Sequence, residues 1–114
     1  MKKILITGTA GFIFSNFLRK VINNHKYQFV SIDKCVHPYN INNIFNHENH
    51  KFYLGDIGDA HFVSNVFKIE KPDFVIHGAA ESFVDDAIKN AKNFTYSNVL
   101  GTQNIVDACL AYNI

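Results

Sequence analysis

The residues best placed to do chemistry are Gly8, Gly11 and Asp33. The stretch Gly8-Thr9-Ala10-Gly11-Phe12-Ile13-Phe14 follows an apolar run, Ile4-Leu5-Ile6-Thr7. After it, Phe14, Phe17, Leu18, Val21 and Ile22 recur at spacings of three and four. The first pattern is that of a buried parallel strand, the second that of an amphipathic helix reaching to about Asn24. A glycine loop in this setting suits a pyrophosphate. Gly8 permits the sharp turn out of the strand, and Gly11 keeps a Cβ out of the way of the phosphates. The amides at the helix start and the positive end of its dipole favour the negative charge. Asp33 closes a second apolar run, Phe29-Val30-Ser31-Ile32, 22 residues after Gly11. A carboxylate there accepts hydrogen bonds from the adenosine ribose hydroxyls and repels a 2′-phosphate, which selects NAD over NADP. One position departs from this pattern. The third small residue of the fingerprint is Phe14, where Gly or Ala normally lets the helix pack close to the sheet. The phenyl group demands a helix shift or overpacking strain of about 1–3 kcal/mol, and a shift would move the phosphate-binding amides.

Rival chemistries have less support. His47-Glu48-Asn49-His50 places two histidines three apart, not at the four-residue spacing of a helical zinc site, and no third ligand is legible. No metal site is expected. Ser15 has no glycine elbow. His77 ends a strand and reads as a hydrogen-bonded core residue rather than a base. Cys35 and Cys109 are far apart in no metal-like spacing, so a reducing, cytoplasmic setting is expected.

The elements that must position Gly8, Gly11 and Asp33 follow from the hydrophobic pattern. Residues 34 to 50 are polar and rich in asparagine (Asn40, Asn42, Asn43, Asn46, Asn49), which reads as a compositionally biased loop with one helical turn around Ile41 to Phe45. Phe52-Tyr53-Leu54 is a third strand closed by Gly55-Asp56. Asp59 is a candidate N-cap for a helix carrying Phe62, Val63, Val66 and Phe67. Lys71-Pro72-Asp73 is a turn, and Phe74-Val75-Ile76-His77 a fourth strand. A helix from Phe94 to Tyr112 is expected to bury Val99, Ile105, Val106, Cys109 and Leu110. Strands alternating with helices predict an α/β fold, a Rossmann-like parallel sheet of order 3-2-1-4 with helices on both faces. Four strands fall short of the six of a complete doubly wound sheet, so residues 1–114 read as the N-terminal part of an NAD-binding domain with no second domain. An open edge at Phe74-Val75-Ile76 then invites self-association.

Composition sets outer limits. The 114 residues are 47% hydrophobic and only 18% charged, which suits one globular unit with a real core. A net charge of +1 gives no sign of a nucleic-acid or membrane-surface partner. The run at Ile4-Leu5-Ile6 is too short for a signal-peptide core, and no segment reaches the length of a membrane span.

With these motifs in place, the sequence resembles the extended short-chain dehydrogenase/reductase superfamily (NAD-dependent epimerases and dehydratases), and within it the dTDP-glucose 4,6-dehydratases. The resemblance runs the length of the chain. Ile6-Thr7-Gly8-Thr9-Ala10-Gly11-Phe12-Ile13, Asp33-Lys34, Gly55-Asp56-Ile57, Lys71-Pro72-Asp73-Phe74-Val75-Ile76-His77, Ala79-Ala80-Glu81-Ser82 and Asn98-Val99-Leu100-Gly101-Thr102 match its motifs in order and spacing. The resemblance implies that Phe12 and Ile13 line the pyrophosphate turn. It places Asp33 on the adenosine ribose with Lys34, Cys35 and Val36 beside it, and Asp56 and Ile57 at the adenine. Ala79, Ala80 and Glu81 would run along the cofactor, and Ser82 would face both cofactor and sugar substrate. Ser97 would keep the hydroxyl of a cofactor-contacting threonine, and Asn98 would be structural or close to the active site.

The resemblance further implies a lyase acting on a dTDP-hexose through a Tyr-x-x-x-Lys pair, whose lysine lowers the tyrosine pKa. That spacing is absent. Four positions after Tyr27, Tyr39, Tyr53 and Tyr96 stand Ser31, Asn43, Ile57 and Leu100, and Tyr112 lies too near the end to test. The catalytic residues are expected beyond Ile114. Two further departures are Phe83, in place of a histidine, and Asp86, in place of an arginine. Three readings follow: the NAD-binding portion of a nucleotide-sugar dehydratase, a stand-alone NAD or nucleotide binder without catalysis, and a remnant in which Phe14 prevents binding.

Overall fold

In the computed structural model every residue but His37 and Phe45 is described, as are all side chains except those of Pro38, Tyr39, Ile41 and Val84 in addition. The strands are β1 (Lys2–Thr7), β2 (Tyr27–Asp33), β3 (His50–Leu54) and β4 (Phe74–His77). They form one parallel sheet in the order β3-β2-β1-β4. Helix α1 (Phe12–Val21) joins β1 to β2, and α2 (Ala60–Glu70) joins β3 to β4. After β4 come α3 (Val84–Lys89), α4 (Ala91–Phe94), a π-helical turn (Thr95–Leu100) and α5 (Gly101–Ala111).

The period-2 alternation of the strands assigns each residue to a face. Leu5, Val30, Ile32 and Val75 point to one side, where Val63, Val66 and Phe67 of α2 and Ile105 and Ala108 of α5 cover them. Ile4, Ile6, Phe29 and Ile76 point to the other, under Phe14, Leu18, Val21 and Ile22 of the α1 segment. The strands are apolar on both faces because both faces are covered. The register sets Thr7, Ile32 and His77 abreast at the C-terminal ends of β1, β2 and β4.

Local chemistry sets the boundaries. Asp59 caps α2 by accepting from the Phe62 N–H at 3.2 Å. Lys71 ends α2 in the left-handed region at φ 46°, and Pro72 prevents continuation. At the opposite end of the sheet from the strand C-termini, Glu70 ties three elements together. It accepts from Lys3 of β1 at 2.8 Å, and from Lys51 and Tyr53 of β3 at 2.6 and 2.5 Å. Burial by itself pushes the Glu70 carboxyl up, but these three donors outweigh it and hold the group down at about 2.

Two expectations need correction, and one helix is missing from the sequence reading. α3 is not assigned from the sequence although Val84, Ala87 and Ile88 stand at helical spacing, because six residues are too short a stretch to establish a period. The side of α5 facing the sheet carries Ile105, Ala108, Cys109 and Tyr112, while Val99, Val106 and Leu110 are exposed. The segment has two apolar stripes, and the sheet can cover only one. The helical turn of the asparagine-rich segment is a 3-10 helix over Pro38–Asn43, displaced toward the N-terminus from the expected 41–45, of which Phe45 lies outside the described residues.

Candidate cofactor site

The loops after β1, β2 and β4 enclose a cavity of about 550 Å³, within the range of small-molecule sites. It lies where the chain leaves the central strand β1 in one direction for β2 and in the other for β4. Open α/β sheets bind their ligands at this topological switch.

Gly8 starts the site. Its φ of +82° disfavours any side chain, and a Cβ there would lie 2.7 Å from the Ala79 nitrogen and the Gly78 carbonyl carbon. The loops after β1 and β4 touch only because residue 8 has none. Gly11 has an ordinary φ of −73° and stands as the N-cap of α1 without a side-chain cap. Phe12 and Ile13 form the first turn, where amides have no partner within the helix, and their side chains are 83% and 72% exposed. The first turn of α1 therefore opens into the cavity.

Asp33 is fixed by two backbone donors: the Ala10 N–H to Oδ2 at 3.0 Å and the Cys35 N–H to Oδ1 at 2.7 Å. Each oxygen keeps a lone pair for a further donor. The carboxylate thus joins the glycine loop to the end of β2 and faces the cavity. Cys35 takes part through its backbone, at φ 53°. Burial, and next to it the Asp33 charge, push its thiol up.

Lys34 spans the site. Its ammonium donates to Ser97 Oγ at 2.9 Å and pairs with Glu81 at 3.2 Å and Asp56 at 3.8 Å. Asp56 turns its other oxygen to the Gly58 N–H at 2.9 Å. Of the residues singled out in the sequence, Gly8, Gly11, Phe12, Ile13, Asp33, Lys34, Val36, Ile57, Ala79, Ala80, Glu81, Ser82 and Ser97 line the cavity. Cys35 and Asp56 sit just behind it, held through Asp33 and Lys34.

Phe14 packs between α1 and the sheet and also lines the cavity. Its ring lies over Gly78, where a Cβ would come within 2.3 Å of the ring carbon Cε2. The bulk added at position 14 is absorbed by the missing side chain at 78, and the helix still begins at Phe12. Gly78 is visible in the sequence just after the fourth strand, but only the fold pairs the two positions.

The asparagine bias is more than composition. Asn40 is buried and lines the cavity. Asn43 donates to the Ala10 carbonyl at 2.7 Å and so ties the 3-10 helix to the glycine loop. Asn49 bonds the carbonyls of Tyr27 and Ile22 at 2.7 and 3.1 Å. No periodicity could have found these, because each acts through its amide at one place. His47 and His50 have separate partners, Asn23 and Ser31. Among the described residues no three His, Cys, Asp or Glu side chains come together as a metal site. Phe83 also lines the cavity, whereas Asp86 lies in the first turn of α3, outside the lining.

The family model for GDP-mannose 4,6 dehydratase matches residues 5–114. The chain belongs to this family. Within it, the dTDP-D-glucose 4,6-dehydratase of Mus musculus is 41% identical over 111 residues, covering 94% of this chain and 31% of that enzyme. The crystal structure of DesIV, a dTDP-glucose 4,6-dehydratase of Streptomyces venezuelae with NAD bound, superposes with a TM-score of 0.85 at 29% identity, covering 98% of this chain and 37% of DesIV. A UDP-glucose 4-epimerase of Thermotoga maritima, solved with UDP-glucose, gives a TM-score of 0.87 at 27% identity, covering 98% and 35%. These neighbours are Rossmann-fold members of the extended short-chain dehydrogenase/reductase superfamily, and this member of the family shares their first four strands. It spans about a third of the length of the curated relatives it matches.

Proposed function

We propose that this chain binds NAD in the cavity at the C-terminal ends of β1, β2 and β4, as the cofactor-binding N-terminal part of a nucleotide-sugar dehydratase resembling dTDP-glucose 4,6-dehydratase. The observation that carries the reading is the geometry of Asp33. Its carboxylate is anchored by the Ala10 and Cys35 amides and faces the cavity beside the glycine loop. Such a group accepts two ribose hydroxyls and opposes a 2′-phosphate. Gly8, Gly11, Phe12 and Ile13 would receive the pyrophosphate at the start of α1. Lys34, Cys35 and Val36 would stand beside the ribose, Asp56 and Ile57 at the adenine, and Ala79, Ala80, Glu81 and Ser97 would follow the rest of the cofactor, with Ser82 toward a dTDP-hexose. Bound NAD would supply hydride transfer.

Lysine is absent four positions after Tyr27, Tyr39, Tyr53 and Tyr96, which supports a cofactor-holding role for residues 1–114 over a catalytic one. The packing of Phe14 on Gly78 supports a competent glycine loop over a non-binding remnant. No helix among the described residues is long and apolar enough to cross a membrane. The two free thiols support a cytoplasmic setting.

The test is a calorimetric titration of the folded chain with NAD, with NADP as control. Saturable NAD binding and much weaker NADP binding are expected. A folded chain that takes up neither overturns the reading.

A further inference from the structure

A line of hydrogen bonds runs behind the cavity, from β1 through β4 to the π-helical turn. Thr7 Oγ1 accepts from the Ala79 N–H at 3.1 Å and, at 3.0 Å, shares the Gly78 N–H with the Thr7 carbonyl at 3.1 Å; it lies 2.6 Å from His77 Nδ1. His77 Nε2 lies 2.9 Å from Thr102 Oγ1, and Thr102 donates back to the Asn98 carbonyl at 2.7 Å. The Asn98 carboxamide grips one peptide of the cavity wall twice. Its Oδ1 accepts from the Glu81 N–H at 2.8 Å and its Nδ2 donates to the Glu81 carbonyl at 3.0 Å.

Counting donors fixes the direction of this line. A hydroxyl has one proton and two lone pairs. Thr7 turns its lone pairs to the Ala79 amide and the shared Gly78 amide, which leaves its proton for His77 Nδ1. Thr102 spends its proton on the Asn98 carbonyl, so it must accept from His77 Nε2–H. The Thr102 end requires the Nε2–H tautomer, and the Thr7 end agrees with it. Burial, which holds the His77 imidazole below its ordinary pKa, is consistent with a neutral ring.

We propose that Thr7, His77, Thr102 and Asn98 form a one-way hydrogen-bond chain that positions the Gly78–Ser82 wall of the cofactor cavity, with His77 as its central positioning residue in the Nε2–H form. Both ends of the chain hold backbone of that wall: Thr7 holds the amides of Gly78 and Ala79, and Asn98 holds both polar groups of Glu81. His77 couples the two grips, so the wall is set by β1 and the π-helical turn together. The link to affinity rests on the NAD-binding reading; the chain itself does not.

The decisive variant is Thr102→Val, which keeps the shape and removes the hydroxyl, with Thr102→Ser to restore it. Amide hydrogen exchange at Glu81 is expected to quicken about tenfold in Thr102→Val and to return in Thr102→Ser, while amides of β2 and β3 stay as they were. NAD affinity is expected to fall about five- to tenfold and recover alike. Imidazole ¹⁵N shifts of the unsubstituted chain are expected to show His77 protonated at Nε2 and bare at Nδ1. The proposal is overturned by a proton on Nδ1, by Glu81 exchange that Thr102→Val leaves unchanged, or by faster exchange spread evenly over the sheet. It is overturned too if NAD affinity holds while Glu81 loosens. Should the unsubstituted chain take up no NAD while Glu81 still responds, the cofactor reading fails and the hydrogen-bond chain stands.

Discussion

The phenyl ring of Phe14 occupies the space that a side chain at 78 would need, so the two positions share one volume across the interface of α1 and the sheet. Gly78→Ala is expected to destabilise the chain by about 1–3 kcal/mol through overpacking, and Phe14→Ala in the same chain to recover most of that loss. Urea unfolding of both single variants and the double variant measures the coupling, and additive effects would show that the ring does not meet residue 78. Asp33 acts at the same scale. Asp33→Ala removes an anchored acceptor facing the cavity and is expected to weaken NAD binding by about 10–100-fold, narrowing the preference over NADP, as read by calorimetry. Asp33 was legible in the sequence because it ends a strand at a telling distance from Gly11. The Phe14–Gly78 pair was not, because the two are 64 positions apart and meet only where α1 packs on the sheet.

Among the elements, α2 binds to the sheet through an apolar face and one buried acid. Phe67 is fully buried against Leu5 and Val30, with the Tyr112 ring 6.3 Å away. Phe67→Ala is expected to cost about 3–5 kcal/mol in denaturant unfolding. Glu70 gives α2 a pH dependence. Its folded pKa of about 2 lies below the ordinary 4.5, so its stabilisation is complete above about pH 4.5 and is lost as pH falls toward 2. Because Lys51 is 59% exposed, solvent screens part of this, and roughly 2 kcal/mol is expected. Glu70→Gln should flatten stability between pH 5 and about 2; an unchanged slope would assign acid unfolding to other carboxylates. The apolar face of α2 was legible from period alone. The face of α5 was misassigned, because two apolar stripes compete and period does not say which one meets the sheet.

For the whole molecule, the consequence of four strands is an edge. Among the described residues β4 pairs with β1 alone, and Phe74 on it is 51% exposed. An apolar strand with one open edge is a template for a second chain. The isolated chain is expected to self-associate in sedimentation at micromolar concentration, and Phe74→Lys to reduce this. A monomer at all concentrations would remove the edge as a cause.

The sequence by itself determined the parallel α/β order, the four strands, and the glycine loop with Asp33 at its side. These rest on local period, on turn residues and on one distance along the chain. The tertiary structure alone decided how Phe14 is accommodated, which stripe of α5 is buried, and what the asparagines and His77 do. Those outcomes depend on which distant groups share a volume or a proton. A hydrogen bond between Thr7 and His77, or a helix's ring lying on a glycine beyond a strand end, leaves no periodic trace in either segment.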